Sequence, residues 1–334
     1  MRNILFLFLL SAFTGIEVAA QPPGSPYDAE LTTYPYPYPV TFHNIVSQGE
    51  GLKMAYLEVV PNSANGKTVL LLHGKNFNAA YWERTIRDLA AGGFRVIAPD
   101  QIGFGKSSKP HHYQFSFHQL AENSHNLLTA LGVSRVSVVG HSMGGMLATR
   151  FALMYPDTTD RLVLVNPIGL EDYRIGVPYK SVDAWFADEL RATPESIRAY
   201  QEQNYFGGVW KSEYNSLIDA PAGWTRHSDY PRVAWCSALV YDMIVTQPVV
   251  YEFSKVRAPT LLIIGTRDRT AIGKAFAPPA VAATLGDYGE LGKKTARAIP
   301  GAKLVEIQEA GHMPQVETYN IYYHALSSFL MESP

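Results

Sequence analysis

Val136-Ser137-Val138-Val139-Gly140-His141-Ser142-Met143-Gly144-Gly145-Met146-Leu147-Ala148 is the stretch whose reading decides the fold. A short apolar run rich in valine reads as a buried strand, and the run from Met146 to Tyr155 reads as a helix. Between them lies Gly140-His141-Ser142-Met143-Gly144, a sharp strand-to-helix turn. A serine at such a turn is held in a strained conformation that lifts its hydroxyl above the sheet edge, and Gly140 and Gly144 leave room for the crowded backbone. The helix behind it presents unpaired N–H groups and a positive dipole end to a developing oxyanion. Ser142 is therefore the candidate nucleophile.

Outward from this turn, strands and helices alternate. Strands are expected at Leu52 to Val59, Thr68 to Leu72, Phe94 to Ala98, Val136 to Val139 and Leu162 to Val165. Helices are expected at Tyr81 to Ala91 and about Phe117 to Leu131. Continuous apolar strands in β-α-β order imply an α/β fold, a mostly parallel sheet covered by helices on both faces, whose function collects at the strands' carboxyl ends. The alternation stops between about residues 168 and 250, where Ser181 to Arg191 and Thr193 to Gln203 look helical without strands between them. Thr193-Pro194-Glu195 has the hydroxyl, proline and acid of a helix start. Strands resume at Pro259 to Ile264 and Lys303 to Ile307, and a helix from about Tyr319 to Leu330 closes the chain. The expected organisation is a core of residues 41–167 and 251–334 with a helical cap, 168–250, inserted over the carboxyl edge. Four of the five tryptophans, Trp185, Trp210, Trp224 and Trp235, fall in that cap.

A serine hydroxyl is a weak nucleophile near neutral pH and needs a base to take its proton. Of ten histidines, His312 stands out, because Glu309-Ala310-Gly311-His312 follows the last expected strand. His73 also ends a strand, but His73-Gly74 reads as the turn that builds an oxyanion site, and His141 lies inside the elbow, pointing away from the nucleophile's side. The acid that orients the base is expected at Asp268, after the strand ending at Ile264. Asp268 could instead cap a helix or pair with Arg267 or Arg269. The rival position follows the preceding strand, where Asn166 stands first and Glu171 and Asp172 lie further on; Asn166 cannot carry the charge. Oxyanion donors are expected from the backbone N–H groups of Met143 and Lys75, with the Asn76 side chain as a further candidate or as the anchor of a local turn.

Composition narrows the partners. A formal net charge of −2 over 334 residues offers no basic field for nucleic acid or an anionic membrane, so a small molecule is the expected partner. No His/Cys/Asp/Glu spacing matches a metal site, and no glycine loop precedes a helix in a phosphate-cradling way, so no cofactor or metal is expected. Arg2, the apolar run Ile4 to Phe13 and the small residues Val18 and Ala20 read as a signal peptide cleaved after Ala20, hence a secreted or periplasmic protein; an uncleaved anchor is the alternative. Cys236 is the single cysteine, so no intrachain disulfide can form and stability rests on the core. Residues 21–40 contain Tyr34-Pro35-Tyr36-Pro37-Tyr38-Pro39, whose prolines rule out a central strand and suggest a strap laid over the surface.

His73-Gly74, the segment Asp100 to Pro110, the elbow at Ser142, Asp268 and His312 together resemble the capped α/β-hydrolases over roughly residues 41–334. The chain order of nucleophile, acid and base is that superfamily's order. The resemblance implies a serine hydrolase in which Asp100 to Pro110 shapes the loop beside the site. Epoxide hydrolases and haloalkane dehalogenases are similar over the same segments but carry aspartate where Ser142 stands. Carbon–carbon hydrolases share the Ser-Met-Gly-Gly ending, yet their glycine-rich oxyanion loop is replaced here by Lys75-Asn76-Phe77-Asn78. A serine forms an acyl-enzyme, and an aromatic cap makes a dry pocket, so a carboxylic-ester hydrolase for small to medium, partly apolar substrates is the leading expectation. Carbon–carbon or lactone cleavage is the second, and a non-catalytic binding protein on the same fold is the third.

Overall fold

Alternate residues of the central strands face opposite ways, and that alternation builds two cores. The computed structural model describes residues 24–332, so the expected signal peptide lies outside the described residues. Eight strands form one sheet: β1 (Val40–Ser47), β2 (Glu50–Val59), β3 (Thr68–Leu72), β4 (Arg95–Pro99), β5 (Val136–His141), β6 (Thr159–Val165), β7 (Thr260–Gly265) and β8 (Lys303–Ile307). Their order is β1-β2-β4-β3-β5-β6-β7-β8; the β1–β2 and β2–β4 pairs are antiparallel and β3 to β8 are mutually parallel.

Leu70, Leu72, Val138, Leu162, Leu164, Leu262 and Ile264 face one side, where they meet α2 (Phe117–Ala130) and α3 (Met143–Met154). Val69, Leu71, Val139, Val163, Val165, Leu261 and Ile263 face the other, against α1 (Glu83–Ala91) and the C-terminal helix. Each such side chain, fully withdrawn from water, contributes about 1.5–3 kcal/mol. Both faces are thereby covered, which is the doubly covered α/β fold expected from the strand pattern.

Between β6 and β7 the chain forms α4 (Val182–Glu189), α5 (Pro194–Asn204), α6 (Asn215–Trp224) and α7 (Tyr230–Thr246). Thr193 starts α5: its hydroxyl accepts the Ser196 N–H and its own N–H donates to the Ser196 hydroxyl, with Pro194 at the first helical position. These helices sit over the carboxyl ends of the strands. Arg232 and Trp235 of α7 donate to the carbonyls of Lys109 and His111 in the loop after β4. Tyr205, Phe206 and Tyr214 form a small apolar cluster with Phe77 after β3 and Met313 after β8. After β7 come α8 (Pro279–Ala282) and α9 (Tyr288–Ala298), and after β8 come α10 (Pro314–Glu317) and α11 (Tyr319–Met331).

Two elements differ from the sequence pattern. β1 precedes the first strand expected, and its outer residues Thr41, Phe42, Asn44 and Val46 are exposed, so an edge strand with little apolar alternation left no periodic signal. The helix expected from Tyr81 begins instead as a tight 3-10 turn, Ala79–Trp82, because Asn78 caps it by accepting the Ala80 N–H. Ahead of β1, Tyr27 and Leu31 are buried against Ala220 of α6, and the Tyr36 hydroxyl donates to Asp100.

Candidate active site

Ser142 follows β5 and caps α3 at φ +56°, ψ −122°, outside the regions that a side-chain-bearing residue adopts without strain. What holds it there is close approach. A β-carbon on Gly140 would stand 2.1 Å from the Gly144 carbonyl oxygen, and one on Gly144 would stand 2.2 Å from that of Leu72. Glycine alone permits β5, the head of α3 and the end of β3 to meet so tightly. The Ser142 hydroxyl then points at the loop after β8.

There it donates to His312 Nε2 at 3.0 Å, and His312 Nδ1–H donates to Asp268 Oδ2 at 2.6 Å. A carboxylate only accepts, which assigns the proton to Nδ1 and leaves Nε2 to accept. All three residues are buried. Asp268 is itself held on both oxygens: Oδ1 accepts the Thr270 N–H at 2.8 Å, and Oδ2 also accepts the Asn166 amide at 2.9 Å. Asn166 in turn accepts the Gly265 N–H at 2.7 Å, so this residue at the end of β6 pins the end of β7 and orients the carboxylate. The rival acids lie elsewhere. Asp172 is bound by Arg174 and Tyr251, and the Arg174 hydrogen bonds pull its carboxyl down to about 2. Glu171 accepts the Gly286 N–H.

Three residues that the sequence pattern passes over, or reads differently, position His312. His141 does not point idly away: its Nε2–H donates to the His312 carbonyl at 2.8 Å, while Tyr81 donates to its Nδ1 at 3.1 Å. Complete burial, with His312 beside it, pushes the His141 pKa well down and keeps the ring neutral, as this relay requires. Tyr205, at the end of α5, accepts the His312 N–H on its carbonyl at 3.1 Å and stacks its ring on the imidazole with centroids 4.6 Å apart. Both backbone polar atoms of His312 are thus fixed, one by the core and one by the helical insertion. The contact with Tyr205 joins segments more than a hundred residues apart, which no local pattern announces.

On the other side of Ser142 lies the loop after β3. A β-carbon on Gly74 would stand 3.0 Å from Ser142 Cβ, so this turn lies directly against Ser142. His73 braces it: Nδ1–H donates to the Gly74 carbonyl at 2.9 Å and Nε2 accepts the Gln101 N–H at 3.0 Å. Lys75 follows this turn, and Met143 opens α3, where first-turn N–H groups have no partner within the helix. Asn76 donates its amide to the Tyr205 hydroxyl at 2.7 Å, linking the same loop to the insertion. Beyond Lys75 a cavity of about 340 Å³ opens between this loop and the insertion, lined by Tyr200, Trp224, Tyr230 and Tyr241 among others. Among the described residues no group of three or more His, Cys, Asp or Glu is placed to hold a metal, and no helix is long and apolar enough to cross a membrane.

Residues 67–201 match the family model of the alpha/beta hydrolase fold. The crystal structure of a probable hydrolytic enzyme from Pseudomonas aeruginosa PAO1 is 54% identical, with a TM-score of 0.91 over 92% of this chain and 99% of that one. A 2-hydroxy-6-oxo-2,4-heptadienoate hydrolase of Pseudomonas putida is 36% identical over 61% of this chain and 73% of that protein. Lipase 1 of Psychrobacter immobilis is 29% identical over 80% and 77%. Uncharacterized proteins of Mycobacterium bovis and Mycobacterium tuberculosis match at 40% identity over 108 residues, and the chain spans only 31% of their length. The strand order, the elbow at Ser142 and these likenesses agree: the chain belongs to the α/β-hydrolase family.

Proposed function

We propose that the protein is a serine hydrolase that cleaves carboxylic esters of small to medium, partly apolar substrates through an acyl-enzyme. The observation that carries this reading is the unbroken line from Ser142 Oγ to His312 Nε2 and from His312 Nδ1 to Asp268, buried beside an aromatic-lined cavity. Ser142 Oγ attacks the acyl carbonyl as His312 Nε2 takes its proton, and the oxyanion is received by the N–H groups of Met143 and Lys75. His312 returns that proton to the departing alkoxide, releasing alcohol and leaving the acyl group on Ser142. Water then gives its proton to Nε2 and attacks the acyl ester, and the proton passes to Ser142 Oγ as the acid leaves. Asp268 holds the tautomer and stabilises the imidazolium formed in each half. The helices over the site act as a cap that excludes water.

A second reading has its own support, since a relative 36% identical is named as hydrolysing a 2-hydroxy-6-oxo-dienoate. The same triad serves carbon–carbon or lactone cleavage. Turnover of short alkyl and p-nitrophenyl esters, measured beside a ring-fission diketone and an acyl lactone, decides between them; ester turnover well above the others is expected. A fluorophosphonate probe should label Ser142, and Ser142→Ala should abolish both label and turnover, on the scale of the ~10⁶ loss in kcat when a subtilisin nucleophile is removed. Undiminished turnover in Ser142→Ala would overturn the mechanism. Export is part of the proposal: intact mass of the exported protein should begin at Gln21.

A further inference from the structure

Two buried polar side chains line one cavity: Lys75 makes no hydrogen bond to a carboxylate, and Gln201 makes none on its amide, among the described residues. Lys75 leaves the loop next to Ser142, and its side chain is only 8% exposed. Its ammonium donates to Ser237 Oγ at 2.7 Å and lies 3.5 Å above the Tyr241 ring. Among the described residues the carboxylate within 4 Å is that of Glu189, at 3.9 Å too far to hydrogen bond and itself partly exposed at the end of α4. A neutral hydroxyl and a ring face do not offset the desolvation of a cation. Gln201 of α5 lines the same cavity, is 1% exposed, and has no hydrogen-bond partner on either amide atom among the described residues. An amide buried this way costs free energy on both atoms unless a ligand completes it. Ser237 Oγ accepts from Lys75, which leaves its own O–H to donate.

We propose that Lys75, Ser237 and Gln201 form a subsite for a carboxylate on the acyl part of the substrate, so that this hydrolase acts on monoesters of dicarboxylic acids. The inference rests on the serine-hydrolase reading and names its substrate class. Its geometry is simple. The backbone of Lys75 adjoins the oxyanion site while its stem leads into the cavity, so one residue addresses the reacting carbonyl and the far carboxylate of a short diacid. The anion supplies the hydrogen-bonded carboxylate that Glu189, at 3.9 Å, does not give Lys75, and acceptors for the Gln201 and Ser237 donors. Glu189, partly exposed, competes for the same ammonium. Burial depresses the Lys75 pKa, a tendency that a bound anion reverses.

The test compares monoethyl glutarate and monoethyl adipate with ethyl 5-methylhexanoate and ethyl 6-methylheptanoate, in which a branched alkyl end replaces the carboxylate. Turnover is followed by pH-stat on the full protein, and the readout is the ratio of kcat/KM for each anionic ester to its neutral partner, which cancels any general loss of activity. The wild-type ratio should exceed one. Lys75→Met should lower it by on the order of ten-fold or more, the scale of one charge-assisted hydrogen bond, and Lys75→Arg should restore part of it. Gln201→Leu should also lower the ratio while leaving the melting temperature unchanged or raised, because it removes two unsatisfied atoms. Glu189→Gln should raise the ratio. A wild-type ratio at or below one, or a ratio unmoved in both Lys75→Met and Gln201→Leu, would overturn the subsite while leaving ester hydrolysis standing. If no ester turned over and Ser142 took no fluorophosphonate label, the serine-hydrolase reading would fall and the subsite with it.

Discussion

Asp268 Oδ2 takes two donors at once, the His312 ring and the Asn166 amide, and that double duty sets what its loss should do. Asp268→Asn keeps the volume but replaces an acceptor by a group that can donate, which favours the wrong imidazole tautomer. In the trypsin-type analogue that error cost about 10⁴ in kcat. A loss approaching that scale is expected here on one activated ester, with a melting temperature near wild type, whereas Asp172→Asn should leave kcat close to normal because Arg174 and Tyr251 already occupy that carboxylate. A large defect confined to the Asp172 variant would place the acid after the wrong strand. Asp268, as the first carboxylate past β7, was visible in the linear order of residues. What was not visible is that Asn166, dismissed because it bears no charge, spends its amide on that carboxylate. A hydrogen bond between the ends of adjacent strands depends on register, and only the folded sheet supplies that. His141 poses the same problem one step further on. Tyr81→Phe removes the hydroxyl that fixes the His141 tautomer, so the donor to the His312 carbonyl is no longer enforced. It should lower kcat several-fold with KM little changed, and equal changes in both constants would argue against a positioning role.

Elements were legible in proportion to their periodicity. β3, β5, β6 and β7 are buried on both faces, and their apolar runs announced them; β1, with its exposed outer side chains, did not. The elbow was legible because its requirement is local: a β-carbon at 140 meets backbone, not a movable side chain. Gly140→Ala should therefore fail to accumulate as folded protein, while Gly289→Ala in α9, where the nearest atom is a side-chain oxygen at 3.6 Å, should fold normally and gain a few tenths of a kcal/mol or more from helix propensity. Soluble yield and far-UV circular dichroism separate the two. The helices between β6 and β7 were legible as helices where Thr193 and Pro194 mark a start. Their seating was not, since it depends on Tyr205 meeting His312, Asn76 meeting Tyr205, and Arg232 meeting the Lys109 carbonyl.

At the scale of the whole molecule, the segment before β1 reaches both the insertion and the core. Tyr27 and Leu31 bury themselves against Ala220 of α6, the Tyr27 N–H donates to the Gly223 carbonyl, and Trp224 donates to the Asp28 carbonyl. A few residues on, the Tyr36 hydroxyl donates to Asp100, whose two oxygens also accept the Ala79 and Lys106 N–H groups. With one buried cysteine and no disulfide available, such packing is what couples the two parts of the chain. Leu31 is fully buried in this contact, so Leu31→Ala should cost about 2–4 kcal/mol by lost transfer and cavity terms. If the segment acts as a strap, that loss falls first on the insertion: limited proteolysis should cut within residues 168–250 before the core, and ester turnover should fall at temperatures where the sheet remains intact. A control in the sheet, Leu262→Ala, removes a similar volume from the centre of the core and should lower the melting temperature without singling out the insertion. Identical cleavage patterns in the two variants would mean that the segment before β1 stabilises the molecule as a whole and does not tie the helices down over Ser142.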